Sequence, residues 1–227
     1  MDFPGLPDRL ARVRVSIAGR QSRRGWSHPV TIVAVTKGFG PEAVRAACEA
    51  SLRIVGENRV QEAVAKQEAT ADVPVDWHLI GSLQRNKARL ATGRFALIHS
   101  VDRLDLAAEL QRRVAEGARQ PVLVQVNCSG EAQKGGVAPD QLPPLLDAMR
   151  SLDRLEVRGL MTMAPFTDDE ALQRKPFAQL RQLRDQAAAR GHRLPELSMG
   201  MSGDFGVAVE EGATMVRLGT LLFGERP

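Results

Sequence analysis

Eight short apolar runs, rich in β-branched residues, recur along this chain with helical patterns between them. The runs are 31–35, 53–55, 77–80, 95–99, 122–126, 157–161, 196–199 and 215–218. Between them apolar residues return at helical spacing, as in Val44, Ala47 and Cys48, or Leu142, Leu145, Leu146 and Met149. Strands that alternate with helices build parallel sheets covered on both faces, and several runs here are almost continuously apolar. Eight repeats predict a closed (β/α)8 TIM barrel, with a doubly wound open sheet as the alternative. Leu6, Leu10, Val13 and Ile17 predict an extra N-terminal helix, with residues 1–28 forming that helix and a linker packed on the barrel. No Gly/Ser linker or charge block divides the 227 residues, so one domain spanning 1–227 is expected. Pro41, Pro139 and Pro176 fit first-turn positions of helices, and Gly117, Gly191 and Gly212 fit helix exits.

Composition removes several functions. No run is long enough to span a membrane, and the N-terminus lacks a basic stretch followed by an apolar one, so a cytoplasmic protein is expected. Cys48 and Cys128 are far apart and flank no histidine at ligand spacing, which predicts two reduced thiols. His28, His78, His99 and His192 form no metal-binding pair, and no metal is expected. The net charge of +4 is concentrated between Arg9 and Arg24, on the wet face of the first helix. No aromatic residues interleave with those arginines as base stacking would require, so nucleic acid is not an expected partner.

The polar residues worth a chemical reading sit at predicted strand ends. Lys37 follows Val30-Thr-Ile-Val-Ala-Val-Thr, and at that position desolvation or a nearby cation would free its amine for imine formation. Ser202 is a predicted N-cap with Gly203 at N1, which would offer backbone N–H groups to an anion. Gly219 and Thr220 follow the eighth strand and supply a second such loop. Arg217 lies inside that strand, where a charge must find a partner. An amine, an anion cup and a buried arginine together suit pyridoxal 5′-phosphate (PLP), which needs a lysine, a phosphate cradle and a group facing its ring nitrogen. A guanidinium in the last role leaves the ring nitrogen unprotonated and disfavours carbanion chemistry. Asn58 and Asn86 are predicted caps of the second and third barrel helices, with Asn58 also facing the pocket. His78 reads as a hydrogen-bonded core residue, and Glu57 and Glu62 are not spaced as a glycosidase pair.

Six blocks in this order resemble the YggS-type PLP homeostasis proteins, also called PLP-binding or proline-synthetase-associated proteins. They are Val33-Ala-Val-Thr-Lys37, Gly56-Glu-Asn-Arg-Val-Gln-Glu62, Trp77-His-Leu-Ile-Gly-Ser-Leu-Gln-Arg-Asn-Lys87, Gly159-Leu-Met-Thr-Met163, Leu197-Ser-Met-Gly-Met-Ser202 and Val216-Arg-Leu-Gly-Thr220. The resemblance implies the N-terminal barrel of alanine racemase, a fold-type III PLP protein. It implies Lys37 as the Schiff-base lysine and Arg217 as the partner of the pyridine nitrogen. It further implies Ser202, Gly219 and Thr220 as phosphate ligands, with Asn58 and Met199 lining the pocket. Met163 sits where the racemases have a ring-packing residue, and Lys134 matches a basic position of the family. Arg59 departs from the aromatic residue many relatives have there, and the loop 165–170 is unusually acidic.

The implied function is a PLP carrier that acts in PLP homeostasis and supplies PLP-requiring apoenzymes without substantial catalysis. A PLP-dependent racemase is the alternative, and a sugar-phosphate barrel enzyme without PLP is a third reading. Alanine racemases take a tyrosine from the partner subunit's C-terminal domain as their second base. This chain contains no tyrosine, and its last residue, Pro227, follows the eighth strand closely. No C-terminal β domain is therefore expected, and a monomer follows as the default.

Overall fold

A computed structural model describes residues 3–131 and 133–225. The outermost ends of the 1–227 span, and Ala132 in the segment leading to Lys134, lie outside the described residues. Eight parallel strands close into one barrel in sequence order, so the closed alternative holds and the open sheet does not. The strands are β1 (Thr31–Val35), β2 (Ile54–Glu57), β3 (Asp76–Leu79), β4 (Leu97–Val101), β5 (Gln120–Gln125), β6 (Leu155–Met161), β7 (Glu196–Ser198) and β8 (Met215–Leu218). Closure is made by β8 on β1, where Val33 pairs with Arg217 and Ala34 with Leu218. No further sheet follows β8 among the described residues.

Side chains alternate across each strand, so one set fills the barrel and the other packs under the helices. Leu97, Leu123, Met161 and Met215 form a small apolar cluster of their own, separate from the large cluster that holds Ile98, Val122, Leu160 and Val216. The small cluster is the barrel lining and the large one is the layer beneath the helices. His99, Ser198 and Arg217 share strand parity with the lining residues of their own or a paired strand, which puts a polar layer inside the barrel.

The helices are α1 (Leu6–Arg24), α2 (Pro41–Glu49), α3 (Val60–Ala69), α4 (Ala88–Ala91), α5 (Leu104–Arg113), α6 (Leu142–Met149), α7 (Glu170–Ala189), α8 (Phe205–Glu210) and α9 (Thr220–Phe223). Helix α1 buries Leu6, Leu10, Val13 and Ile17, the stripe its spacing predicts, and ends at left-handed Gly25. It packs on α8 and α9. The linker behind it is pinned by Trp26, whose Nε1 donates to Glu210 O at 2.9 Å. Glu210 and Glu211 are gripped by Arg20, Arg174 and Arg181, which joins α1, α7 and α8 through one charged cluster.

Several local expectations need correction. Pro176 lies inside α7 rather than in its first turn. That helix starts earlier because Asp169 caps it, accepting from Ala171 N and Leu172 N, and Pro176 is buried in its packing face. Asn58 caps nothing: α3 begins one residue later, with Arg59 at its N-cap. Asn86 lies within the short 3-10 turn Arg85–Lys87. Strand β4 runs two residues further than the reading from 95–99, because Phe95 belongs to the outer apolar layer. Gly191 and Gly212 do follow helix ends with positive φ, whereas Gly117 sits three residues beyond the α5 cap, Val114.

Candidate functional site

A cavity of about 380 Å³ opens at the C-terminal ends of the strands. That is the face where a (β/α)8 barrel gathers residues from its βα loops. Lys37, Lys134 and Arg217 line it, together with Ser202, Gly203, Gly219 and Thr220. Val35, Ile80, Met163 and Met201 give it apolar walls. Of the residues singled out from sequence, Lys37, Ser202, Arg217, Gly219 and Thr220 therefore meet in one space. Asn58 and Met199 do not line it. Met199 is fully buried with its N–H bonded to Met215 O, and Asn58 packs its backbone against Gly81. A Cβ on Gly81 would lie 2.2 Å from Asn58 O, so glycine is what lets the β2 and β3 exits approach this closely.

Lys37 is held from behind. Thr36 and Glu57 are fully buried, and Glu57 Oε1 accepts from Thr36 Oγ1 and from Lys66 Nζ, each at 2.6 Å. Lys66 Nζ also donates to Thr36 O at 2.7 Å, and Thr36 N donates to Gly56 O. Every polar group of Thr36 is thus tied down, and the lysine that follows leaves a fixed point. Glu62 instead pairs with Arg59 at 2.9 Å on the surface, so Glu57 and Glu62 serve separate places.

Arg217 is 4% exposed and buried inside the barrel. Its Nη1 donates to Ser198 O and Oγ, both at 2.8 Å, and its Nη2 to Thr162 O at 3.0 Å. Burial pushes its pKa down to about 10, and the nearby Asp204 opposes that shift. Behind it runs a buried chain: Ser198 Oγ meets His99 Nδ1 at 2.9 Å, and His99 Nε2 meets His78 Nδ1 at 3.0 Å. Because Arg217 can only donate, Ser198 Oγ is free to give its proton to His99 Nδ1. With that proton given, His99 Nε2 carries the ring proton and donates it to His78; the other tautomer reverses both bonds. Desolvation drives both histidines below their ordinary value, His78 to about 4 with help from Arg158, and His99 well down with help from His78 and Arg217. His78 is a hydrogen-bonded core residue, as its sequence setting suggests.

The two glycine-rich loops are stitched together. Ser202 Oγ accepts from Leu221 N at 3.2 Å, which joins the loop after β7 to the start of α9. Ser202 is not the N-cap of a helix, as its spacing predicts. Asp204 holds that position, because Met201 to Asp204 forms a closed turn before α8 begins at Phe205. Gly200 at the entry has φ +92, and a Cβ there would lie 2.6 Å from Ala208 Cβ. At Gly203 the protein has no atom within 4 Å of an added Cβ, so that stretch of backbone is open. Lys134 Nζ donates to Ala164 O at 2.6 Å and pairs with Glu131.

Sequence reasoning passed over Lys66, His99, Ser198 and Asp204. Lys66 and His99 carry no local motif, Ser198 stands in the Leu197–Ser202 block without a role of its own, and only barrel closure gives it its partner 99 residues away. Asp204 was visible inside Ser202-Gly-Asp204, where the glycines drew the attention. Among the described residues no cluster could hold a metal ion, and no helix is long and apolar enough to cross a membrane.

The family described as alanine racemase, N-terminal domain, matches residues 20–227. A pyridoxal phosphate homeostasis protein from Aquifex aeolicus is 44% identical, over 96% of this chain and 97% of its own length. One from Pseudomonas aeruginosa is 43% identical, over 97% and 96%. Among solved structures, PipY of Synechococcus elongatus with PLP bound superposes with a TM-score of 0.80 at 42% identity, covering 92% of this chain and all of that one. An alanine racemase from Clostridium difficile shares the fold at 16% identity and a TM-score of 0.73, with this chain matching 56% of its length. A barrel of this topology, with a match across residues 20–227 and close relatives along nearly its whole length, means that the chain belongs to the alanine racemase N-terminal domain family, among its pyridoxal phosphate homeostasis proteins.

Proposed function

We propose that this protein binds PLP at the barrel mouth and acts in PLP homeostasis, holding the cofactor for supply to PLP-requiring apoenzymes without substantial catalysis. The observation that carries this reading is a single cavity lined by a lysine, a buried arginine and two stitched hydroxyl- and glycine-bearing loops. The donor set fits the cofactor: an amine for an aldehyde, N–H and O–H groups for a phosphate, and apolar walls for a ring. The PLP-bound Synechococcus relative supports the same ligand. When bound, PLP supplies an electrophilic aldehyde on an aromatic ring.

This chain's residues divide the work of holding it. Lys37 is the covalent anchor, and the Glu57–Lys66–Thr36 cluster fixes where it starts. Arg217, locked onto Ser198 and Thr162, presents a permanent donor to the ring nitrogen. Ser202, Gly219 and Thr220 take the phosphate, and Met163 packs against the ring. Asn58 and Met199 act from behind, by shaping the loops and strand ends that frame the cavity. The absence of any tyrosine in the chain argues against a two-base racemase of the alanine racemase kind. We take 1–227 as one binding domain that works as a monomer in the cytoplasm.

Titration of the purified protein with PLP, followed by visible absorption, tests the reading. Wild type should bind stoichiometrically, and Lys37→Ala should lose at least about tenfold in affinity, or about 1.4 kcal/mol. A wild-type protein that shows no saturable binding would remove the reading.

A further inference from the structure

Of the two carboxylates on the cavity wall, Asp168 is exposed but Asp204 is buried, at 7% exposure. Asp204 Oδ1 accepts from Met201 N at 2.5 Å, and its own N–H donates to Met201 O at 3.1 Å, so the side chain is fixed by the turn it closes. It stands next to Ser202 and Gly203, on the loop assigned above to the phosphate. Arg217 and Lys134 are near enough to favour its ionised form, although burial keeps its carboxyl above the usual range. A site built only for tight anion binding would not keep a buried carboxylate there, because like charges sharing a low-dielectric space repel.

We propose that Asp204 acts as an internal counter-ion of the cavity, whose charge opposes the cofactor's phosphate on the neighbouring Ser202–Gly203 loop and so sets a weak, releasable hold. This rests on the PLP reading of the site and deepens it. In the ligand-free protein Asp204 shares the cavity with Lys134 and Arg217, whose own bonds go to Glu131 and Ala164 and to Ser198 and Thr162. A phosphate ester seated on the Ser202–Gly203 loop shares the cavity with Asp204, and that repulsion is relieved on release. A weak hold suits a protein that supplies a cofactor better than one that keeps it permanently. The capping role alone predicts a different outcome, because asparagine at this position can still accept from Met201 N.

The test compares wild type with Asp204→Asn, using PLP, pyridoxal and inorganic phosphate as probes. Asp204→Asn should bind PLP about tenfold more tightly and release it correspondingly more slowly. Inorganic phosphate should bind the cofactor-free variant more tightly by a similar factor. Pyridoxal, which lacks the phosphate, should change by less than about twofold. Asp204→Ser, whose hydroxyl can also accept from Met201 N, gives a second variant should the first fold poorly. If wild type binds PLP and neither variant binds it more tightly, or if PLP and pyridoxal shift equally, the counter-ion role is wrong and the site reading stands. If wild type binds no PLP at all, both fall.

Discussion

Replacing Glu57 by alanine is expected to destabilise the fold by about 3–5 kcal/mol, the usual cost of breaking a buried ion pair from one side. Glu57 is fully buried, and Lys66 keeps only 11% of its side chain exposed. Removing the carboxylate leaves the Lys66 ammonium with Thr36 O as its remaining acceptor among the bonds seen here, and takes the partner from Thr36 Oγ1. The pair itself is not the source of net stability, since desolvating two charges offsets most of their attraction. A Glu57→Met, Lys66→Met double variant should therefore recover most of the loss. One feature favours that outcome: Glu57 Oε2 is buried without a hydrogen-bond partner, so the wild-type pair already carries an unsatisfied atom. At about 2–4 °C per kcal/mol for a chain of this size, the single variant should melt roughly 6–20 °C lower. Urea unfolding of the three proteins checks this, and a loss under about 1 kcal/mol for Glu57→Ala would mean that the pair is not dry.

Mild acid should unfold the barrel from the inside. His78 and His99 have folded pKa values below the ordinary 6.5, so the unfolded chain binds more protons than the native one as pH falls below 6.5. Their neutral state contributes stability in full above about 6.5, and that contribution is lost progressively toward pH 4. By pH 5, His78 alone accounts for about 2 kcal/mol, one and a half units at 1.36 kcal/mol each, and His99 adds to it. The carboxylates held low, Glu109 by Arg113 and Arg112 and Asp147 by His192 and Arg190, start to lose their contribution below about 5. Asp204 works in the opposite sense, because its raised carboxyl takes a proton more readily in the fold. Urea unfolding at pH 7.5 and pH 5 should show the drop, and His78→Asn, whose amide can still meet His99 Nε2, should shrink it. Equal stability at the two pH values would contradict a neutral, buried histidine pair.

The barrel was readable from sequence because its signal is repeated eight times, and each apolar run reports the same environment. The site was partly readable for a related reason. Lys37, Ser202, Gly219 and Thr220 sit just past strands and Arg217 inside one, where a polar residue beside or within an apolar run is conspicuous. Individual helix starts were harder. Pro176 looked like a first-turn residue, but Asp169 supplies a stronger start seven positions earlier. Ser202 looked like an N-cap, but the turn that Asp204 closes delays the helix. Of the polar interior, Arg217 and His78 were legible as buried polar residues, but their partners were not. Ser198 is one serine in a short strand until barrel closure brings Arg217 to one side of it and His99 to the other. Likewise, Lys66 reads as a solvated helix lysine until α3 packs it against Glu57.

We propose that Lys37 anchors PLP in the cavity at the barrel mouth. Borohydride reduction of the PLP-loaded protein, followed by peptide mapping, tests it most directly. One pyridoxyl adduct is expected, on the peptide carrying Lys37, with Lys134 unmodified at stoichiometric PLP. An adduct on Lys134 or on surface lysines, with Lys37 unlabelled, would contradict it.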